Sequence, residues 1–378
     1  MSGLFFHNAT VIGGRDPAGT TLAVANGTIV ADAPPGAEPV DLGGGYLLPG
    51  FVDTQVNGGG GVLFNDDPSV ETIARIGAAH RRFGTTSFLP TLISDHLDTV
   101  DQAMRATEQA IADGVPGVAG VHLEGPFLNP ARRGTHDAAR FLRLDEAAIR
   151  LLSSLRAGRT LVTLAPEMCT PDDIRALVAA GVIVAIGHSD ADLSTARDAF
   201  AAGASGVTHL FNAMSPLGHR APGVVGATLD DPAAYAGIIV DGHHVDPVAL
   251  RIALRCRPID RFMLVTDAMP SVGSANKRFR LQGHEVHAEG GVCVNGEGVL
   301  AGSDLDMATA VANTVRLLGR SLADAATMAS SAPARFLRLA DRGTLVPGLR
   351  ADLVWLDAEL RLRGVWIGGV AEPLHAPA

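Results

Sequence analysis

The sequence has no apolar run of 18 residues, and it does not start with a basic segment followed by a long apolar stretch. Neither a membrane-spanning helix nor a secretory leader is therefore expected. Cysteine is scarce: Cys169, Cys256 and Cys293 are odd in number, far apart and in no C-x-x-C spacing. That argues against a disulfide framework and a thiolate zinc site, and it fits a reducing compartment, the cytoplasm. Blocks of Lys and Arg are also missing from a chain with a formal net charge of -10. Nucleic acid and a membrane surface are thus poor partners, and a small molecule is the expected one. No Pro or Gly low-complexity tract occurs, and 47% hydrophobic against 19% charged residues predicts a folded chain. At 378 residues it could hold two ordinary domains or one barrel with an appendage.

From residue 47 onward, short apolar runs ending in polar residues alternate with helical stretches, the pattern of repeated strand-helix units with a parallel sheet. Eight strands are predicted: 51–56, 86–93, 117–125, 160–167, 182–189, 206–211, 235–242 and 261–268. Between them, "TPDDIRALVAAGV" carries an N-cap at Thr170, Pro171 in the first turn, acids at the positive end of the dipole and Gly181 as a stop. The expected fold is α/β, a (β/α)8 TIM-like barrel over 47–341. Residues 1–46 and 342–378 break this rhythm with short strand-like runs, and together they predict a small β-sandwich domain formed by the two chain ends. A turn-rich alternation near 279–302 predicts a hairpin inserted after strand eight.

A barrel of this type builds its site at the C-terminal ends of its strands, so the residues there matter most. Strand three ends in Glu124, strand five in His188, strand six in His209, strand seven in Asp241 with His243 and His244 beyond it, and strand eight in Asp267. Two neutral imidazoles and one carboxylate form a set that holds a zinc-like ion and leaves a position for water. Glu124, His188 and His209 supply that set, and Asp267 is the expected general base, ionised if a cation lies beside it. A single strand-end His or Asp is a weak signal, because hydrogen-bonded histidines and capping aspartates are common; four on four strands are less easily accidental. His7, His80, His96, His122, His284, His287 and His375 are read as surface or packing residues. Glu167 at the end of strand four is ambiguous.

In order along the chain stand "LEGPF" (123–127), "GTH" (134–136), "IGHSDA" (186–191), "THLFNAM" (208–214), "DGHHVD" (241–246), "LVTDAM" (264–269) and "LAGS" (300–303). On these motifs the chain resembles, nearly end to end, the N-acetylglucosamine-6-phosphate deacetylases of the amidohydrolase superfamily. The resemblance implies hydrolysis of the acetamide of an amino-sugar 6-phosphate to the free amino sugar phosphate and acetate, in amino-sugar catabolism or cell-wall recycling. It also implies metal ligation by Glu124, His188 and His209, and proton transfer by Asp267. His136 would approach the sugar or the scissile carbonyl, where a donor can stabilise the oxyanion, with Thr135 beside it. Asn212, Ala213, Arg220, Asp241, His244, Leu300, Ala301 and Gly302 would contact the substrate, Arg220 adding charge for the phosphate. A homodimer is implied, with Arg220 or His244 serving the partner subunit's phosphate pocket.

Other amidohydrolases commonly carry His-x-His on strand one, and many two-metal members carry a carboxylated lysine on strand four. Here Gln55 and Asn57 occupy strand one, and "TLVTLAPE" contains no lysine. A neutral amide oxygen is a poorer zinc ligand than imidazole, so one divalent transition metal per subunit is expected. Zinc is the first choice, though iron, cobalt or manganese can share such a site. Gln55 and Asn57 would orient water or side chains at its edge. A deacetylase for the galactosamine epimer, or a non-catalytic sugar-phosphate-binding relative, are the alternatives.

Overall fold

Eight runs of aliphatic and β-branched residues become eight parallel strands in a computed structural model of the chain, which describes residues 3–14, 19–296 and 298–374. His375 lies outside the described residues. The barrel strands are Phe51–Val56, Thr85–Ile93, Gly120–Glu124, Arg159–Leu164, Ile183–Ile186, Gly206–Val207, Tyr235–Ile238 and Phe262–Leu264. Each pairs in parallel with the next. The circle closes through a parallel bridge between Val56 and Ala268, supported by the Asp267 N–H to the Gln55 carbonyl at 3.0 Å.

Several strands stop earlier than their apolar runs. His188, His209 and Asp267 have φ of 48°, 33° and 52°. This left-handed backbone ends the ladder and turns each side chain toward the barrel mouth. Helices follow where the caps predict them. Pro171–Ala179, for example, starts on a capping box between Thr170 and Asp173.

At the opposite end, Val52, Leu89, Leu161, Ile183 and Met263 pack against Phe336 and Leu337, brought there by the helix Ala332–Phe336 and the residue that follows it. Above this apolar plug lies a buried polar layer. His122 bonds Thr91 Oγ1 at 3.2 Å through Nδ1 and Thr163 Oγ1 at 2.8 Å through Nε2, and Thr163 Oγ1 in turn meets Thr208 Oγ1 at 2.6 Å. Burial pushes the His122 imidazole down to about 4, so it sits in the barrel as a neutral hydrogen-bonding group.

The chain ends form two facing sheets. Gly3–His7, Leu22–Ala25, Thr28–Val30 and Glu38–Asp41 make one; Thr10–Val11, Tyr46–Pro49, Leu353–Leu356, Leu362–Ile367 and Val370–Ala371 make the other. Tyr46–Pro49 runs antiparallel to Leu353–Leu356, joining the two ends. Phe6 packs edge-on to Trp366 in their shared core at 4.9 Å. After strand eight, Arg278–Leu281, His284–Glu289, Val292–Asn295 and Leu300–Ser303 form a four-stranded antiparallel sheet, more than the single hairpin expected there. It sits on Leu63, Ile93 and Met269 beside the barrel mouth. No helix among the described residues is long and apolar enough to cross a membrane.

Candidate metal centre

Three strand ends deliver Glu124, His188 and His209 to one point. Their ligand atoms all lie within 4.8 Å of one another, and all three side chains are buried. Glu124 Oε1 is 2.9 Å from His209 Nε2 and 3.2 Å from His188 Nε2, and the two Nε2 atoms are 3.2 Å apart. The His188 Nδ1–H donates to the Arg132 carbonyl at 2.9 Å, which leaves the Nε2 lone pair facing the centre. Three lone-pair donors so close repel one another unless a proton or a cation lies among them. Two imidazoles and a carboxylate are a set that a divalent transition metal accepts, so the residues fit such an ion. Burial alone would raise the Glu124 carboxyl, but the close approach of His188 and His209 holds it well below the usual range. Burial would lower His209, and Glu124 raises it instead.

Asp267 faces the same centre from strand eight. Burial, followed by the charge of Glu124, pushes its carboxyl up to about 6, against the depressed value expected beside a cation. A cation in the cluster would act in the opposite direction. Strand one supplies donors. Gln55 Nε2 lies 3.2 and 3.3 Å from the two Glu124 oxygens and 3.0 Å from Asp267 Oδ1, and Asn57 Nδ2 donates to the same Asp267 oxygen at 2.6 Å. Gln55 therefore bridges the two carboxylates through its NH2 group while Asn57 holds Asp267 alone, and neither amide oxygen has a hydrogen-bond partner.

His136 stands against the cluster, with Nε2 3.9 Å from Glu124 Oε2. Its Nδ1 accepts from the Ser94 N–H at 3.4 Å and meets Ser94 Oγ at 2.8 Å. A backbone N–H can only donate, and burial pushes this imidazole down to about 3. The ring is neutral, and its single proton is on Nε2, as a hydrogen-bond donor at the cluster.

The mouth encloses a cavity of about 170 Å³, against about 10 Å³ inside the barrel, so of the barrel's own two cavities the one at the strand ends has room for a ligand. Of the sequence-predicted residues, Glu124, Thr135, His136, His188, His209, Asn212, Ala213, His244, Asp267, Leu300 and Gly302 line it, together with Asn57. Three do not. Asp241 is consumed beneath the wall: its Oδ2 meets His244 Nδ1 at 2.6 Å, and its Oδ1 accepts from the N–H groups of His243 and His244. It orients His244. Ala301 is buried in the core under the inserted sheet, and Arg220 is exposed on the loop after strand six.

Two positioning residues carried little or no sequence signal. Ser94 follows strand two and sets the His136 tautomer. Glu167, the ambiguous strand-four acid, accepts from Ser189 Oγ at 2.7 Å, the Asp190 N–H at 2.6 Å and Asn129 Nδ2 at 2.8 Å, fixing the turn that presents His188.

Residues 46–371 match the family model described as "Amidohydrolase family". An N-acetylgalactosamine-6-phosphate deacetylase of Shewanella sp. (strain ANA-3) is 45% identical over 87% of this chain and 83% of its own. An N-acetylglucosamine-6-phosphate deacetylase of Bos taurus is 41% identical over 88% and 84%. The crystal structure of N-acetylglucosamine-6-phosphate deacetylase from Pasteurella multocida superposes with a TM-score of 0.94 at 33% identity, covering 98% of this chain and 99% of that one. The chain belongs to the amidohydrolase family.

Proposed function

We propose that the protein hydrolyses N-acetyl-D-glucosamine 6-phosphate to D-glucosamine 6-phosphate and acetate. The observation that carries this reading is the convergence of the Glu124–His188–His209 cluster, the amide-held Asp267 carboxylate and the His136 Nε2–H donor on one cavity. One divalent transition metal, zinc first among iron, cobalt and manganese, would be held by Glu124, His188 and His209, and when bound it supplies Lewis acidity toward the amide carbonyl and the attacking water.

The chain's own residues divide the remaining work. His136 donates its Nε2 proton in a hydrogen bond to the acetyl oxygen, where negative charge develops as the carbonyl becomes tetrahedral. Asp267 takes a proton from the attacking water and returns it to the sugar nitrogen. The C–N bond then breaks with a neutral amine leaving, because an amide anion is too basic to depart. Gln55 and Asn57 hold Asp267 in reach of both atoms. Asn212, Ala213 and His244 line the cavity for the sugar phosphate, and Arg220 brings positive charge to the phosphate in a homodimer, across either its own or the partner's pocket. A cytoplasmic enzyme of amino-sugar catabolism or cell-wall recycling fits this chemistry. The division into a terminal β unit (1–46 with 342–378) and a barrel (47–341) is proposed with it, since every site residue falls in the second.

The 45% identity to a galactosamine-type enzyme favours a second reading, the same reaction on the C4 epimer. Acetate release from both epimeric 6-phosphates and from unphosphorylated N-acetylglucosamine tests the two together. Faster turnover of the glucosamine epimer supports the first reading, and faster turnover of the galactosamine epimer the second. Equal rates on the unphosphorylated sugar would contradict both.

A further inference from the structure

The inserted sheet touches the site at two separate points. At its last strand, the Ser303 N–H donates to the Asp267 carbonyl at 2.9 Å, and the Met269 N–H returns to the Ser303 carbonyl at 3.0 Å. At its first turn stands Gln282, whose φ of 48° swings the side chain away from the sheet. Gln282 Nε2 donates to the Ser94 carbonyl at 3.1 Å, and Gln282 Oε1 accepts the Asp137 N–H at 2.5 Å. One side-chain amide thus joins two barrel loops that are far apart in sequence. Ser94 is the residue whose hydroxyl holds His136 Nδ1, and Asp137 is the residue directly after His136.

The loop that carries His136 has little regular structure of its own, only the 3-10 turns Pro130–Arg132 and Ala138–Arg140. Besides Gln282, it is tied to the Ser94 segment by Arg140 Nη1 to Asp95 Oδ1 at 2.7 Å, a bond made beyond His136 and on a partly exposed side chain. The separation between Ser94 and His136 decides whether the ring keeps its Nε2–H aimed at the cluster. A misplacement of about 1 Å in such a donor can lower a rate by about 100-fold.

We infer that Gln282 is a positioning residue: its amide clamps the Ser94 and His136 loops together and holds the His136 donor on the substrate carbonyl. This rests on the deacetylase reading. The inserted sheet then serves the reaction twice, bracing Asp267 through Ser303 and His136 through Gln282.

The test is Gln282→Ala, alone and combined with His136→Ala, assayed for acetate release from N-acetylglucosamine 6-phosphate, with amide hydrogen exchange followed on wild type and single variant. The single variant should lose about tenfold in kcat and kcat/KM alike, and add little to the loss in the His136→Ala background. Exchange should quicken at the Asp137 amide and stay unchanged at Ser303. Wild-type kcat in Gln282→Ala, unchanged exchange at Asp137, or a full tenfold further loss in the double variant would each overturn the inference. A wild-type protein that releases no acetate would instead sink the deacetylase reading, and the exchange arm would still decide the clamp.

Discussion

At the strand starts, Val52, Leu89, Leu161, Ile183 and Met263 close on Phe336 as an apolar plug, whereas at the strand ends Glu124, His188, His209 and Asp267 crowd around one point. The same eight strands build both ends. The difference lies in what each end asks of the backbone. The plug needs only shape, but the mouth holds His188, His209, Ala213 and Asp267 at positive φ and sets the half-buried Asp267 carboxylate beside the buried Glu124. Left-handed backbone at a non-glycine residue costs about 1–3 kcal/mol each, so the mouth carries more strain than the plug, beside which Arg338 at φ 57° is a residue of the same kind. Stability and chemistry are drawn from opposite ends of the barrel, as this architecture allows.

Two substitutions should pull the ends apart. Asp267→Asn removes the proton acceptor while keeping size and partners; turnover should fall by about 10²–10⁴-fold with melting temperature and metal content near wild type. Near-normal acetate release would remove Asp267 from its role. Phe336→Ala empties the plug and should destabilise the fold by about 3–5 kcal/mol in urea titrations, with kcat nearly unchanged in the folded fraction. A large kcat loss there would mean that the two ends are coupled and the comparison fails.

The smallest effect comes from between the ends. Asp53 lies on strand one, fully buried, with Oδ2 taking the Thr266 hydroxyl at 2.5 Å. Burial pushes its carboxyl from 3.8 up to about 7, so it binds its proton more tightly folded than unfolded. Its contribution to stability is therefore full below about pH 3.8 and is lost as pH rises through about 7. Asp53→Asn cannot titrate, and the difference in urea midpoint between variant and wild type should grow in the variant's favour from pH 4 to pH 7. A pH-independent difference would show that Asp53 is not titrating there.

The barrel was legible because its strands are continuous apolar runs that end in functional side chains. Counting those ends also brought Glu124, His188, His209 and Asp267 together. What escaped the sequence was the layer of residues that act on other residues. Gln282 meets Ser94 across 188 positions and Asp137 across 145, and no periodicity encodes such a meeting. Asp241 was legible as a strand-end acid, but not as the partner of His244, on which a carboxylate three residues earlier folds back. Ala301 in "LAGS" alternates with Leu300 and Gly302, so strand pleating alone sends it to the opposite face from its neighbours. Gln55 and Asn57 were legible as the missing half of a metal pair and as amides orienting groups at its edge, but not which groups: Gln55 reaches Glu124 and Asp267, and Asn57 reaches Asp267.

One cluster at the mouth, Glu124, His188 and His209, is proposed to carry the reaction with a single ion. The direct measurement is metal content per subunit and acetate release on the same preparations of wild type and His209→Ala. One tightly held divalent ion and turnover are expected in the wild type, with both lost in the variant. Two strongly bound ions per wild-type subunit, or undiminished acetate release from metal-free His209→Ala, would contradict it.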